Sequence, residues 1–426
     1  MVLAPARSLA EAHDDDAADS GDAGDDDSGS WVRRRPALGA QRESLSCAAV
    51  AAAAGLFAVV SSQDGTIRAS VLVKMSGDEP MSALARASDP HFSFVTDVEH
   101  YDGVYYYAIA RDPLLLGKAH TLIDQPAYRY GHPLHGWLAR IVSLGVNSLI
   151  PQALLVLSLA GLALAGWATS RYAVRHDRNP WLGLVVAVVP GLLYAATVST
   201  TETVGAALVV SALLAWEYRR WSLAAVLLLL CCLDKEQYVA VPVGLAVWEA
   251  VQWRRSGRPR QVRARATALG LGPVALSMWY LYVHARLHEW PSSYQSGNLG
   301  TPIAGWQQTM QYAHALSQGT FEQSQIGAVA PPVLAALAVL LLIAAVHASR
   351  LRTVADAPYL CLVLITACQG WRTLLYPHEI FRTPAVATLL AVVVLLGGER
   401  RPQRPPPRRS QRRSDRPSAR GAAAVR

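Results

Sequence analysis

Between residues 45 and 398 the chain carries ten Ala/Leu/Val-rich runs of about helix-spanning length, at 45–60, 149–168, 181–197, 203–218, 221–233, 238–252, 267–285, 329–349, 358–374 and 384–398. A bilayer hydrocarbon core takes about 20 mostly apolar residues per helix, with a range of roughly 17–25. The pattern predicts an all-α polytopic membrane protein with about ten transmembrane helices. Composition points the same way: 52% of the residues are hydrophobic and 16% charged, where soluble globular chains carry about 25% charge. One large soluble enzyme is excluded.

Arginine placement orients these runs, because cytoplasmic loops collect positive charge. Ten spans put both ends of the chain on one side. The loops then placed inside hold Arg171, Arg175 and Arg178, the pair Arg219 and Arg220, six arginines within 253–266, and Arg350 and Arg352. The short turns placed outside, near Thr201, Lys235 and Glu379, hold only Lys235 and Arg382. The expectation is a multi-pass protein of the plasma membrane with both termini cytoplasmic and two long outer loops, 61–148 and 286–328. The formal net charge of +8 is then mostly a record of topology, and no nucleic-acid partner is expected.

Three regions follow. Residues 1–44 contain the run EAHDDDAADSGDAGDDDSG and are expected to be a disordered acidic cytoplasmic tail, since such a segment cannot bury enough apolar surface to fold. Residues 45–398 form the transmembrane domain. Residues 399–426, rich in Arg and Pro, are expected to be a second disordered cytoplasmic tail. The acidic lead ahead of the first apolar run argues against a secretory signal. The five cysteines (47, 231, 232, 361 and 368) show no zinc-ligand spacing and read as small buried hydrophobes.

Chemistry concentrates in the predicted outer segments. The stretch FVTDVEHYDGVYYYAIARDP, residues 94–113, sets Asp97, Glu99, Asp102 and Asp112 around the consecutive Tyr105, Tyr106 and Tyr107. An acid held beside aromatic walls at the membrane surface suits a general base for a sugar hydroxyl. The competing reading is a Tyr-rich interfacial helix with Asp102-Gly103 as its first turn. In IDQPAYRYGHPLHGWLARIV, residues 123–142, a surface-lying amphipathic helix is predicted from Leu134 onward. Arg129, Tyr130 and His132 are candidate contacts to a phosphate or sugar, with Arg129 alternatively reaching lipid headgroups. LDKEQY offers Lys235 as a point charge for a lipid phosphate, beside Glu236, unless it is a solvated turn. YPHEIFRTP offers His378, Glu379 and Arg382, with Arg382 as an anion contact oriented by Glu379, unless the two are a surface ion pair. Thr201-Glu202 is given no role. No GxxxxGK[ST] and no GxGxxG between strand and helix is present, so no nucleotide donor is implied.

The element YDG-x-YYY-x-IA-x-DP, followed by AYRY-x-x-PL, resembles polytopic glycosyltransferases of the GT-C superfamily over residues 94–138. The likeness is to bacterial members, and more loosely to the mannosyltransferases of glycosylphosphatidylinositol assembly. The resemblance implies a large first extracytoplasmic loop bearing a catalytic acid, a polyprenyl-phosphate-linked sugar donor in the lipid bilayer, and a glycan, lipid or protein acceptor. Asp102 matches the motif's acid, with Asp97 and Glu99 beside it. The candidate substrate-binding set, drawn from the motif region and from the two outer turns that the charge rule places on the same face, is Tyr106, Arg129, Tyr130, His132, Lys235, Glu236, His378, Glu379 and Arg382. No cofactor is called for apart from a divalent cation, Mg2+ or Mn2+, and the loop departs from the pattern in lacking an Asp-Asp or Asp-x-Asp pair to hold one. A membrane transporter or lipid flippase for a glycolipid or polymer precursor is the rival class. It would place ionisable groups deep in the spans, where this chain has few. Cysteine labelling in intact cells should find residues 61–133 outside and 254–265 inside; the reverse pattern overturns the predicted topology.

Overall fold

The computed structural model describes residues 38–257, 261–292 and 298–396. The two expected tails lie outside the described residues, apart from 38–44, which are helical. Helix α1 (Leu38–Ser61) leads into a long segment that holds α2 (Pro80–Ser88), α3 (Gly103–Arg111), α4 (Pro126–Arg129) and α5 (Leu134–Val142). There follow α6 (Ile150–Arg175), α7 (Pro190–Thr197), α8 (Glu202–Glu217), α9 (Trp221–Asp234), α10 (Ala240–Ser256) and α11 (Val262–Leu287). The chain ends its described course in α12 (Ala304–Ser317), α13 (Phe321–Ala348), α14 (Asp356–Ala367), α15 (Pro377–Arg382) and α16 (Ala385–Leu396). Among the described residues there is no strand, only two isolated bridges, Ser76 with Val95 and Leu299 with Gln369.

A helix thus occupies each of the ten apolar runs. Four helical stretches, Gly39–Ser61, Asn147–Arg175, Val262–Leu287 and Gln323–Ala348, are long and apolar enough to cross a membrane on their own. The run at 181–197 is not one straight helix. A 3-10 segment, Pro180–Val188, meets α7 at a 56° bend. Pro190 is the cause: it supplies no N–H and drives Val189 into extended backbone (φ −77°, ψ 107°). The run at 358–374 is also divided. Helix α14 stops at Ala367, because the next residues turn to pair with the 298–300 segment.

Apolar side chains stand outward on the long helices, including Phe57 on α1, Met278 and Leu281 on α11, and Leu342 and Val346 on α13. Such surfaces belong against lipid rather than water. Inside, helices approach through small residues, as membrane helices do. At Gly161 of α6 a Cβ would lie 2.8 Å from the Thr203 carbonyl carbon of α8. The 62–149 segment is strapped down by side chains that bond its backbone: Trp137 Nε1 donates to Pro113 O at 2.9 Å, Trp279 Nε1 to Tyr130 O at 2.6 Å, and Arg286 Nη2 to Leu115 O at 2.8 Å.

The start of α3 is wedged most tightly. A Cβ on Gly103 would sit 2.7 Å from the carbonyl oxygens of both Val73 and Val198. The lack of a side chain at Gly103 therefore sets where Asp102 stands. Gly103→Ala should lower the stability of the purified protein by about 1–3 kcal/mol through overpacking, read as a drop in melting temperature. Gly270→Ala on α11, where nothing lies within 4 Å of the added Cβ, should melt at or above the wild-type temperature. Equal melting of the two variants rules out the wedge.

Candidate active site

Asp102 holds the N-cap position of α3, yet its carboxylate makes no capping bond. It turns instead to two arginines. Arg382 Nη2 donates to Oδ2 at 2.9 Å, and Arg129 Nη1 to Oδ1 at 3.3 Å. Arg129 comes from α4 and lies over the Tyr105 ring, 3.5 Å from its centroid. Consecutive helical residues point about 100° apart, which separates the three tyrosines. Tyr105 and Tyr106 face the site, while Tyr107 turns into the core against Phe92.

Arg382 is the hub. The residue is 7% exposed, and its guanidinium contacts three carboxylates: Asp102, Glu379 (Nη2 to Oε2, 3.0 Å) and Glu202 (Nη1 to Oε1, 3.1 Å). Tyr101 stacks its ring 4.9 Å below the guanidinium and donates its hydroxyl to Glu379. Glu202, the first residue of α8, is 1% exposed and also accepts from Lys235 Nζ at 3.0 Å. Three cations (Arg129, Lys235 and Arg382) and three carboxylates (Asp102, Glu202 and Glu379) close into one network.

All of this network except Glu202, which lies behind it, lines a cavity of about 690 Å3. Tyr106, Tyr128, Arg129, His132, Lys235 and Glu236 belong to that lining, and His132 Nδ1 lies 3.0 Å from Glu236 Oε2. The same cavity is lined by Leu364 and Ile365 of α14, by Cys368 and Gln369 beyond its end, and by Asn298 to Gly300. Arg372 also lines the cavity; among the described residues it makes no ion pair, and its guanidinium lies 5.5 Å from the Trp371 ring.

Of the residues singled out from the sequence, Asp102, Tyr106, Arg129, His132, Lys235, Glu236, Glu379 and Arg382 meet at this cavity. Four others stand apart. Tyr130 is fully buried and donates to the Asp112 carbonyl at 2.9 Å. Asp97 accepts from the Ser76 hydroxyl. Glu99 is exposed on the same 3-10 turn. His378 packs among the rings of Tyr101, Tyr194 and Tyr376, behind Glu379. Four further residues belong to the site: Glu202, Arg372, Gln369 and Asn298. Glu202 had a legible signal, an acid inside an otherwise apolar hairpin; the carboxamides had none.

Burial raises the Asp102 carboxyl, but the charges of Arg382, Arg129 and Lys235 outweigh it and bring it to about 2. Burial likewise opposes the charge on Arg382, and Glu379, Glu202 and Asp102 more than offset it, raising its pKa. A depressed carboxyl stabilises the fold fully above the ordinary aspartate value of 3.8 and loses that contribution as pH falls toward 2. Asp102 is therefore ionised throughout the neutral range. Among the described residues no group of three or more His, Cys, Asp or Glu side chains is arranged to hold a metal ion. Both Asp102 oxygens face arginines, so the set at hand does not fit Mg2+ or Mn2+ as it stands.

Glu202→Gln leaves Arg382 and Lys235 short of a buried counter-charge and should cost about 3–5 kcal/mol in stability. Adding Lys235→Met to that variant should recover part of the loss in a double-mutant cycle, measured by thermal melting. Strict additivity of the two would show that the pair is not coupled. No family model matches the chain, and no curated protein matches it either.

Proposed function

We propose that the chain is a GT-C-like integral membrane glycosyltransferase with about ten transmembrane helices and both termini cytoplasmic. It moves a sugar from a polyprenyl-phosphate donor to a glycan, lipid or protein acceptor on the extracytoplasmic face of the plasma membrane. The observation that carries this reading is the juxtaposition, around one cavity, of an ionised carboxylate, a cationic cluster and an apolar helix face. Leu364 and Ile365 suit the first units of a prenyl chain. Lys235, Arg129, Arg372 and Arg382 suit the phosphate.

In the proposed step the acceptor hydroxyl gives its proton to Asp102 while its oxygen bonds to the anomeric carbon. The bond from that carbon to the phosphate oxygen breaks, its electron pair leaves with polyprenyl phosphate, and the configuration at the carbon inverts. The cations stabilise charge as it develops on the leaving oxygen. A carboxylate clamped by two arginines is a weak base in isolation. An anionic phosphate drawing on Arg129 and Arg382 weakens that clamp, so the donor itself strengthens the base.

A flippase would have its ionisable groups along a path through the spans. Here the buried acids Glu202 and Asp234 stand at helix ends, next to Lys235 and Thr201 respectively. Asp102→Asn should reduce transfer from a panel of polyprenyl-phosphate sugars by about 100-fold or more with normal membrane insertion. The wild-type rate should show no acid limb from Asp102 near neutral pH, because protonation lies far below. Wild-type transfer by Asp102→Asn would sink the assignment.

A further inference from the structure

The part of the cavity lining formed by 298–300 and 368–369 has a construction of its own. Helix α14 ends at Ala367, and the next residues pair with the 298–300 segment across an antiparallel bridge between Leu299 and Gln369. Gly300 N donates to Cys368 O at 2.8 Å and Gly370 N to Asn298 O at 2.8 Å. Two more bonds hold the shelf from the side of α12: Ile303 N to Ala367 O at 2.7 Å and Trp306 Nε1 to Thr366 O at 3.1 Å. Gly305 packs so closely that a Cβ there would lie 2.6 Å from the Gly370 Cα. The backbone of 366–370 is thus fixed from two sides, the condition for a preorganised recognition surface.

Two uncharged amides ride on this shelf. Gln369 lines the cavity, is 2% exposed, and its Oε1 is buried with no hydrogen-bond partner in the protein. A buried polar atom without a partner is rare in a folded protein and costs about 1–3 kcal/mol. Asn298 Nδ2 donates to the Tyr128 hydroxyl at 3.3 Å. Tyr128 in turn sits 5.4 Å from the Arg129 guanidinium that holds Asp102. The neutral shelf is therefore joined to the catalytic wall through one aromatic ring.

We infer that this shelf reads the sugar of the donor, that Gln369 is its specificity-determining residue, and that the sugar is a neutral one recognised through hydroxyls. The inference rests on the glycosyl-transfer reading. A carboxamide donates and accepts at once, as does a sugar hydroxyl, and a hydroxyl supplies the partner that Oε1 lacks. A sugar carboxylate would meet Asp102, Glu236 and Glu379 across the same space. Within the shelf itself, Cys368, Gln369 and Asn298 to Gly300 carry no charge; the nearest cation in the chain, Arg372, is assigned to the phosphate.

Cys368, next to Gln369 in the lining, is a built-in reporter. In the full-length protein in nanodiscs, its alkylation by a maleimide is followed by mass spectrometry against polyprenyl phosphate, polyprenyl-phosphate mannose and a polyprenyl-phosphate uronic acid. The mannose lipid should half-protect Cys368 at a concentration about tenfold below that of the bare phosphate, the size of one hydrogen bond to a desolvated partner. Gln369→Ala should abolish that gap while leaving protection by bare polyprenyl phosphate unchanged, which also shows that the variant is folded. Arg372→Ala should weaken all three lipids together. Equal protection by bare and sugar-bearing lipids, preference for the uronic acid, or a gap that survives Gln369→Ala overturns the inference and leaves the transferase reading standing. No protection by any of the three, with Cys368 reactive, overturns the lipid-phosphate reading and the inference with it.

Discussion

Arg382 carries a full charge in a nearly dry place, and the arrangement around it follows from that. An unpaired buried guanidinium is not tolerable, and several kcal/mol of desolvation must be offset by attraction and hydrogen bonds. Asp102, Glu202 and Glu379 supply them from three separate parts of the chain, with Tyr101 below the guanidinium. Because one cation must satisfy all three carboxylates, the starts of α3 and α8 and the whole of α15 are brought to a common point. Lys235 and Arg129 then balance what Arg382 leaves over. The result is a cluster dense in charge yet close to neutral.

The apolar scaffold is what gives these charges their strength. Water would screen such pairs to near nothing at a surface. Here the long helices pack through small residues, and the 62–149 segment is tied to α11 by backbone-directed bonds from Trp279 and Arg286. Fixed walls on both sides of the cavity let a few side chains act at defined distances. The lining thus combines a charged cluster with two neutral amides, Gln369 and Asn298.

How much of this the sequence discloses depends on the type of residue. Each of the ten apolar runs holds helix, but two runs read as single spans are divided, at Pro190 and after Ala367. A charge in an apolar chain stands out, so Asp102, Arg129, Lys235, Glu236, Glu379 and Arg382 were all visible. Rotation about a helix axis was not. The AYRY motif contains two tyrosines two residues apart, and α4 turns Tyr128 to the cavity but Tyr130 to the core. Asp97 and Glu99 sit in the same acidic stretch as Asp102, but the 3-10 turn that carries them faces away. Glu202 was given no role because its partners Lys235 and Arg382 stand 33 and 180 residues away in the chain. Neutral amides such as Gln369 and Asn298 leave no trace in charge or periodicity; only the bridge that ends α14 early makes them neighbours of the site.

Glu202 shows one oxygen to two cations, Lys235 and Arg382, while its other oxygen, Oε2, is buried without a hydrogen-bond partner. The carboxylate therefore has spare accepting capacity at the centre of the network. Displacement of one cation would not strand Glu202, since the remaining cation can reach either oxygen. A change of partner at Glu202 therefore needs only side-chain torsions, with the spare oxygen acting as slack in the circuit.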